Sequence, residues 1–184
     1  MTISLAAYFF VVFFEFVLVI TIALYLLSLI YSSIMGSPYV PTKMREIIDI
    51  FDQILIKKKS KFLDLGCGDG RIVRLVAQNY GLFAVGVDIN PMIIFWARIK
   101  AKLARLENAS YKIENIFKTD LSDYDIVYLF LMPELLTKLG PKLENETKKG
   151  AILISHGFKI AGWDRQIFKI LKHEPFSTYY YRLS

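Results

Sequence analysis

The sequence predicts an α/β protein with a doubly wound, seven-stranded sheet, preceded by one membrane-spanning helix. Three observations carry that expectation. From Lys61 onward, apolar strand-like runs alternate with helical patterns. A glycine-rich turn, Gly66-Cys67-Gly68-Asp69-Gly70, joins the first strand to the first of those helices, and Asp88 closes the second strand. From Leu5 to Met35 the only charged residue is Glu15.

The 184 residues suit one folded domain and an appendage, divided as 1–35 (transmembrane helix), 36–60 (linker and N-terminal helix) and 61–184 (the α/β domain). About twenty apolar residues cross a bilayer, and Phe16 to Met35 alone supplies them. A cleaved signal peptide is disfavoured, because no Lys or Arg precedes the apolar run and the run is too long. A transit peptide is disfavoured too, since the first 42 residues hold no Arg. Glu15 costs a few kcal/mol at the centre of a span and fits better near the interface. All 23 Lys and Arg follow Met35, so the positive-inside rule places the α/β domain in the cytoplasm and the chain as a single-pass membrane protein. The net charge of +6 becomes about +7 once Glu15 is set aside, a balance that favours anionic lipid, with Lys57-Lys58-Lys59-Ser60-Lys61 as the evident patch. The single Cys67 has no partner for an internal disulfide, and nothing in the chain signals an oxidising compartment.

Along the chain, Gly36-Ser37-Pro38 breaks the membrane helix. Thr42 is placed to cap a helix whose Met44, Ile47, Ile48, Phe51, Ile54 and Leu55 recur at helical spacing. Strands follow at Lys61–Leu65, Phe83–Asp88, Ser110–Ile116, Asp125–Leu131 and Ala151–Phe158, with a closing antiparallel hairpin at Gln166–Lys172 and Ser177–Leu183. Helices intervene at Arg71–Tyr80, which Gly81 stops, at Pro91 to about Leu106, and at Pro133 to about Glu146. Asp125–Leu131 is almost wholly apolar, as a parallel strand buried on both faces must be. In such a sheet the ligand lies at the carboxyl ends of the first three strands.

A strand, a glycine turn, a helix, a second strand and an acid together bind the adenosine half of a cofactor. The spacing departs from the nicotinamide fingerprint, because the third glycine comes one residue early and Asp64 stands two residues before the first. Asp64-Leu65-Gly66-Cys67-Gly68-Asp69-Gly70 resembles motif I of class I S-adenosyl-L-methionine (SAM) methyltransferases, a Rossmann-like fold, and Asp88 falls where that family has its ribose-binding acid. Acidic residues beside the loop suit SAM's sulfonium and ammonium better than a dinucleotide's phosphates. On this resemblance the cofactor site comprises Asp64, Gly66, Gly68, Asp69, Gly70, Asp88, Ile89 and Asn115. Asp64 and Asp69 receive the ammonium, Asp88 both ribose hydroxyls, and Ile89 and Asn115 the adenine.

Further stretches narrow the resemblance. Pro38-Tyr39-Val40-Pro41-Thr42, the run from Phe130 to Ala151, Ser155-His156-Gly157-Phe158 and Gly162-Trp163 resemble the archaeal broad-specificity protein lysine methyltransferases and the mitochondrial ATP synthase c-subunit lysine methyltransferases. The resemblance implies lysine Nε-methylation of a protein substrate, membrane-associated like the chain itself, with Tyr39, Thr42, His156 and Trp163 near the channel. The exit of the fourth strand, Leu131-Met132-Pro133-Glu134, lacks the Asn/Asp-Pro-Pro-aromatic signature of amino-adenine and glutamine methyltransferases. Glu134 is better placed to meet the helix dipole than a substrate. A lipid or small-molecule acceptor stands as the alternative. RNA ranks behind it, because no RNA-binding appendage is present and no nucleic acid partner is expected. A SAM-binding scaffold without activity is the reading outside enzymology. No metal site is expected.

Overall fold

The computed structural model describes residues 4–34 and 44–183. Helix α1 spans Leu5–Ile34, its first turn capped by Ser4 Oγ accepting from Ala7 N at 3.2 Å. Its Leu5–Leu27 portion, 23 residues of mean hydropathy 2.7, buries nothing against the rest of the chain. At about 1.5 Å per residue, that portion is long enough for a bilayer's hydrocarbon core. Helix α2 (Met44–Phe51) then lays Ile47, Ile50 and Phe51 onto the domain. Tyr39, Thr42 and the predicted break at Gly36 lie outside the described residues.

The sheet has seven strands in the order β3-β2-β1-β4-β5-β7-β6. Strands β1 (Lys61–Leu65), β2 (Phe83–Asp88), β3 (Ala109–Ile113), β4 (Ile126–Leu129) and β5 (Ile152–His156) run parallel. Strand β7 (Thr178–Arg182) inserts antiparallel between β5 and β6 (Ile167–Leu171). The predicted closing hairpin is present, but its second strand, not its first, joins the parallel core. That order gives β7, with Thr178, Tyr180 and Tyr181 buried, two hydrogen-bonded neighbours and leaves β6, none of whose residues is fully buried, as the edge.

Helices α3 (Arg71–Tyr80) and α4 (Pro91–Leu103) share one face of the sheet with α2. Helix α5 (Pro133–Glu146) packs Leu136, Leu139 and Leu143 on the other, against Leu63, Leu65, Val127, Leu129 and Leu153. Strand alternation explains the division: Phe62, Ile126, Tyr128 and Ile154 point to the first face, and their sequence neighbours to the second. Several elements are shorter than the apolar patterns implied. Strands β3, β4 and β5 end at Ile113, Leu129 and His156, and α4 stops at Leu103. Beyond those points the apolar residues cover the strand ends without continuing the ladder. The order reverses between β1 and β4, the switch point at which open α/β sheets bind ligands.

Candidate functional site

Strand β1 ends in the glycine loop because the chain there cannot remain extended. Gly66, Gly68 and Gly70 have φ of 82°, 52° and 71°, in the left-handed region that other residues avoid. Gly70 is closed in from outside as well. A Cβ there would lie 2.2 Å from Tyr111 Cε1, and the Tyr111 hydroxyl donates to the Gly70 carbonyl at 3.1 Å. Tyr111, on β3, was not among the residues the sequence singled out. Nothing in its local pattern marks it, because the contact spans 41 residues. Helix α3 starts directly after Gly70 and points its first amides at the loop.

Asp88 stands at the end of β2 and braces the loop. Its Oδ2 accepts from Gly68 N at 3.0 Å and its Oδ1 from Asn90 N at 2.9 Å. A carboxylate offers about four lone-pair directions, so both oxygens keep capacity for the two hydroxyls of a ribose. Burial raises the Asp88 pKa, and the amides of Asn90, Gly68 and Ile89 oppose that rise. Asn90 is fully buried and caps α4, its Oδ1 accepting from Met92 N at 3.0 Å and Ile93 N at 3.3 Å. The Asn-Pro pair at 90–91 is the sequence signal for that cap. Ile89 and Asn115 are half-buried, on the loops that follow β2 and β3. The Asn115 side chain accepts from Phe117 N at 2.9 Å, fixing the β3 exit loop.

The two acids of the glycine run have separate roles. Asp64 is 2% exposed, and its Oδ2 has no hydrogen-bond partner among the described residues. Burial, then the charges of Asp88 and Asp69, push its pKa well up. Asp69, expected to share the ammonium, is engaged by three basic side chains. Its Oδ1 accepts from Arg71 Nε at 3.0 Å and its Oδ2 from Lys100 Nζ at 2.9 Å, while Arg74 donates to its carbonyl at 2.6 Å. Burial alone would raise the Asp69 pKa, but Arg71 and Lys100 outweigh it and hold it down at about 2. Asp69 therefore ties α3 to α4, and the acid of the run left without a partner is Asp64. Cys67 is buried, and its pKa is pushed well up by burial and the same three acids, so it remains a thiol with no nucleophilic role.

These residues fit SAM. A buried carboxylate lacking a partner suits an ammonium, a loop of positive-φ glycines admits a ligand to bare backbone, and a braced Asp88 suits a ribose diol.

The residues expected beside the acceptor divide between the two faces. His156 ends β5 with no exposed surface. Its Nδ1 lies 2.9 Å from Thr178 Oγ1, and its ring packs edge-on to Phe130 with centroids 4.6 Å apart. Burial, and then the charge of His173, lower its pKa to about 4. Its Nε2 faces Glu46 Oε1 of α2 at 3.6 Å. No local pattern pairs Glu46 with His156, 110 positions away. Trp163 lies across the sheet, 6% exposed, in the cluster under α5 and edge-on to Tyr181 at 5.8 Å. It packs in the core of that face. Glu134 is exposed in the first turn of α5.

Comparison with known proteins agrees with this geometry. Residues 64–167 match the family model of the ANTKMT methyltransferase domain. Over 141 residues the chain is 36% identical to a protein-lysine N-methyltransferase of Saccharolobus islandicus, covering 72% of this chain and 84% of that protein. It is 31% identical over 127 residues to the ATP synthase c-subunit lysine N-methyltransferase of Mus musculus, covering 68% of this chain and 51% of that protein, so it spans about half of the mouse relative. Among solved structures, an RNA methyltransferase from Salinibacter ruber in complex with S-adenosyl-L-homocysteine superposes with a TM-score of 0.74 at 28% identity, over 78% of this chain and 93% of that one.

Proposed function

This chain belongs to the family of the ANTKMT methyltransferase domain and is a SAM-dependent methyltransferase, and from that premise we propose that it methylates the Nε of lysine in a protein substrate at a membrane surface. The observation that carries the acceptor is the relationship to the archaeal lysine methyltransferase, which covers 84% of that protein. Helix α1 anchors the chain as a single span, and the excess of Lys and Arg after it keeps the domain cytoplasmic. A membrane-associated protein is then the substrate at hand.

When bound, SAM supplies an electrophilic methyl carbon on a sulfonium leaving group. Asp64 holds the ammonium of its amino-acid part, Asp88 its ribose, and Ile89 with Asn115 its adenine. The acceptor must arrive as a free amine, and a lysine of pKa near 10.4 is neutral in only about one molecule in two thousand at pH 7. The aromatic rings around His156 favour that form, and Glu46 beside them works against it. Phe130 and Phe176 pack around the ring, with centroids 4.6 and 5.9 Å away, and an apolar setting disfavours an ammonium. His156 is neutral at pH 7. With Nδ1–H donated to Thr178, its Nε2 is an acceptor, and Glu46 Oε1 is a second acceptor 3.6 Å away. A neutral amine donates one N–H to each and turns its lone pair outward. Alignment of that kind is the main contribution an enzyme makes to an in-line displacement from a good leaving group. Tyr39 and Thr42 are proposed to complete the channel.

RNA is the second reading, favoured by the 28% identity to the Salinibacter RNA methyltransferase. Incubation of the full chain with tritiated SAM, isolated membranes and total RNA separates the two. The lysine reading expects label on Lys Nε in acid-hydrolysed membrane protein; label confined to RNA or lipid overturns it. Asp88→Ala should abolish SAM binding without unfolding the domain, and Tyr39→Ala should spare binding and lower turnover.

A further inference from the structure

The outer face of α4 is apolar where a helix on a soluble domain is ordinarily polar. Ile94, Ala97 and Ala101 point inward and are buried. Met92, Phe95, Trp96, Ile99 and Leu103 recur at i, i+3, i+4, i+7 and i+11 on the opposite side, Met92 and Ile99 half-buried and the other three exposed. Phe95 is 54% exposed, Trp96 49% and Leu103 79%, and the Phe95 and Trp96 rings meet edge-to-face at 5.7 Å. At about 100° per residue, Lys100 and Lys102 flank this stripe on its two sides. Beside its C-terminal half, between α4 and β3, lies an open cleft of about 310 Å³ lined by Arg98, Lys102, Arg105 and Glu107 among others. Arg98 is held by the Tyr111 carbonyl at 2.7 Å and Lys100 by Asp69, but among the described residues Lys102 and Arg105 are in no ion pair.

We propose that this face of α4 docks on an anionic phospholipid bilayer, with the apolar stripe in the interfacial layer and headgroup phosphates in the cleft of Lys102 and Arg105. Aromatic and aliphatic residues on one side of a helix and lysines along its margins make an interfacial helix, the long basic side chains reaching out to the headgroups. Charge complementarity selects anionic lipid. A second copy of the chain is a poorer occupant. Five side chains on one helix, two of them half-buried, offer a few hundred Å² of apolar surface, short of the ~600 Å² per partner at which stable interfaces begin.

The connection to α1 brings the bilayer within range, and in this respect the inference rests on the anchored reading above. Helix α1 ends at Ile34 and α2 starts at Met44, ten residues later. Ten residues reach at most about 35 Å. Glu46, in the first turn of α2, sits at the carboxyl end of β5, and α4 begins three residues after Asp88, at the same end of the sheet. The site's rim and the start of the stripe are thus both on a short tether. The Lys57-Lys58-Lys59 run, the patch evident in the sequence, precedes β1 and so lies at the opposite end, the end at which the cleft of Lys102 and Arg105 opens beside the start of β3.

The test uses the full chain in nanodiscs of phosphatidylcholine with phosphatidylglycerol, the acyl chains brominated to quench nearby tryptophan. The fluorescence that Trp96→Phe removes is that of Trp96. It should be quenched in these discs, and Lys102→Gln with Arg105→Gln should weaken the docking about fivefold per residue, the Glu reversals more, and restore most of the emission. Unquenched Trp96 overturns the inference, as does quenching that the charge reversals leave unchanged, or copies that crosslink through position 96 without quenching. Alkaline extraction reads α1 separately. A chain that resists extraction with Trp96 unquenched sinks the docking alone, and one stripped by alkali with Trp96 still quenched sinks the anchor alone.

Discussion

Glu46 Oε1 lies 3.6 Å from His156 Nε2, and neither atom has a hydrogen-bond partner among the described residues. The separation is too long for a hydrogen bond between them. A buried carboxyl oxygen and a buried ring nitrogen, held side by side without partners, are costly unless something bonds to both. They come from the first turn of α2 and the last residue of β5, so packing Ile47, Ile50 and Phe51 onto the sheet is what creates the pair. The amphipathic stripe of α2 and the proposed acceptor side of the site are in this way one structural unit.

Glu46→Ala should lower kcat by about ten- to hundredfold while leaving the calorimetric Kd for SAM within about twofold of wild type, the loss expected for one hydrogen bond to a charged group. Glu46→Gln keeps an acceptor oxygen and should recover part of that rate. Equal losses in kcat and SAM affinity would assign Glu46 to packing around the cofactor instead.

His156 predicts a pH dependence of stability. Its pKa is about 4 folded, lowered by burial and then by His173, against an ordinary 6.5. Between those values the unfolded chain binds more protons, so stability rises with pH. The contribution is present above about pH 6.5 and is lost as pH falls toward 4, on the order of 3 kcal/mol in all. Glu46 faces the ring from α2 and Thr178 from β7. Melting temperatures between pH 4 and 7 should show this slope in wild type and a flatter one in His156→Gln; parallel curves would contradict it.

The glycine run, Asp88 and the bounds of β1, β2, α3 and α5 were legible in the sequence, because each depends on local chemistry: positive φ, a proline at a helix start, or apolar alternation. What the sequence did not disclose depends on distant contacts. Asp69 reads as a ligand for the cofactor until Lys100, 31 residues on, is seen to claim it. Trp163 reads as a channel aromatic until Tyr181 and the α5 cluster enclose it. Glu46 and Tyr111 acquire their roles only through pairing across the fold. The position of β7 was hidden for the same reason, since a hairpin's pattern does not state which of its strands meets the core.

Asp64→Asn should move stability and affinity in opposite directions. The folded pKa is raised, by burial first and then by Asp88 and Asp69, so the folded protein binds the proton more tightly than the unfolded chain does. Stability from this group is therefore lost as pH rises beyond the unfolded value near 4, and at neutral pH the carboxylate is a cost in the cofactor-free protein. Asparagine removes that cost but loses a charge-assisted bond to the ammonium. The variant should melt higher without SAM and bind SAM about ten- to hundredfold more weakly. A variant that binds as tightly as wild type would take Asp64 out of the site.

Gly70→Ala tests the loop's geometry. At φ 71° an alanine bears the left-handed penalty of about 1–2 kcal/mol, and its Cβ would sit 2.2 Å from Tyr111 Cε1. Displacing that ring adds an overpacking cost of about 1–3 kcal/mol. It also breaks the bond from the Tyr111 hydroxyl to the Gly70 carbonyl, which holds β3 to the loop. Detergent-solubilised full chain carrying Gly70→Ala should accordingly lose roughly 2–5 kcal/mol of stability and most of its SAM affinity. Tyr111→Leu in the same chain vacates the space without altering φ, so it should recover the overpacking part alone. Gly81→Ala is the control, since its φ of 65° brings a similar backbone penalty but a Cβ there meets nothing within 4 Å. If the two glycine variants were equally stable, the Tyr111 contact would not be what shapes the loop.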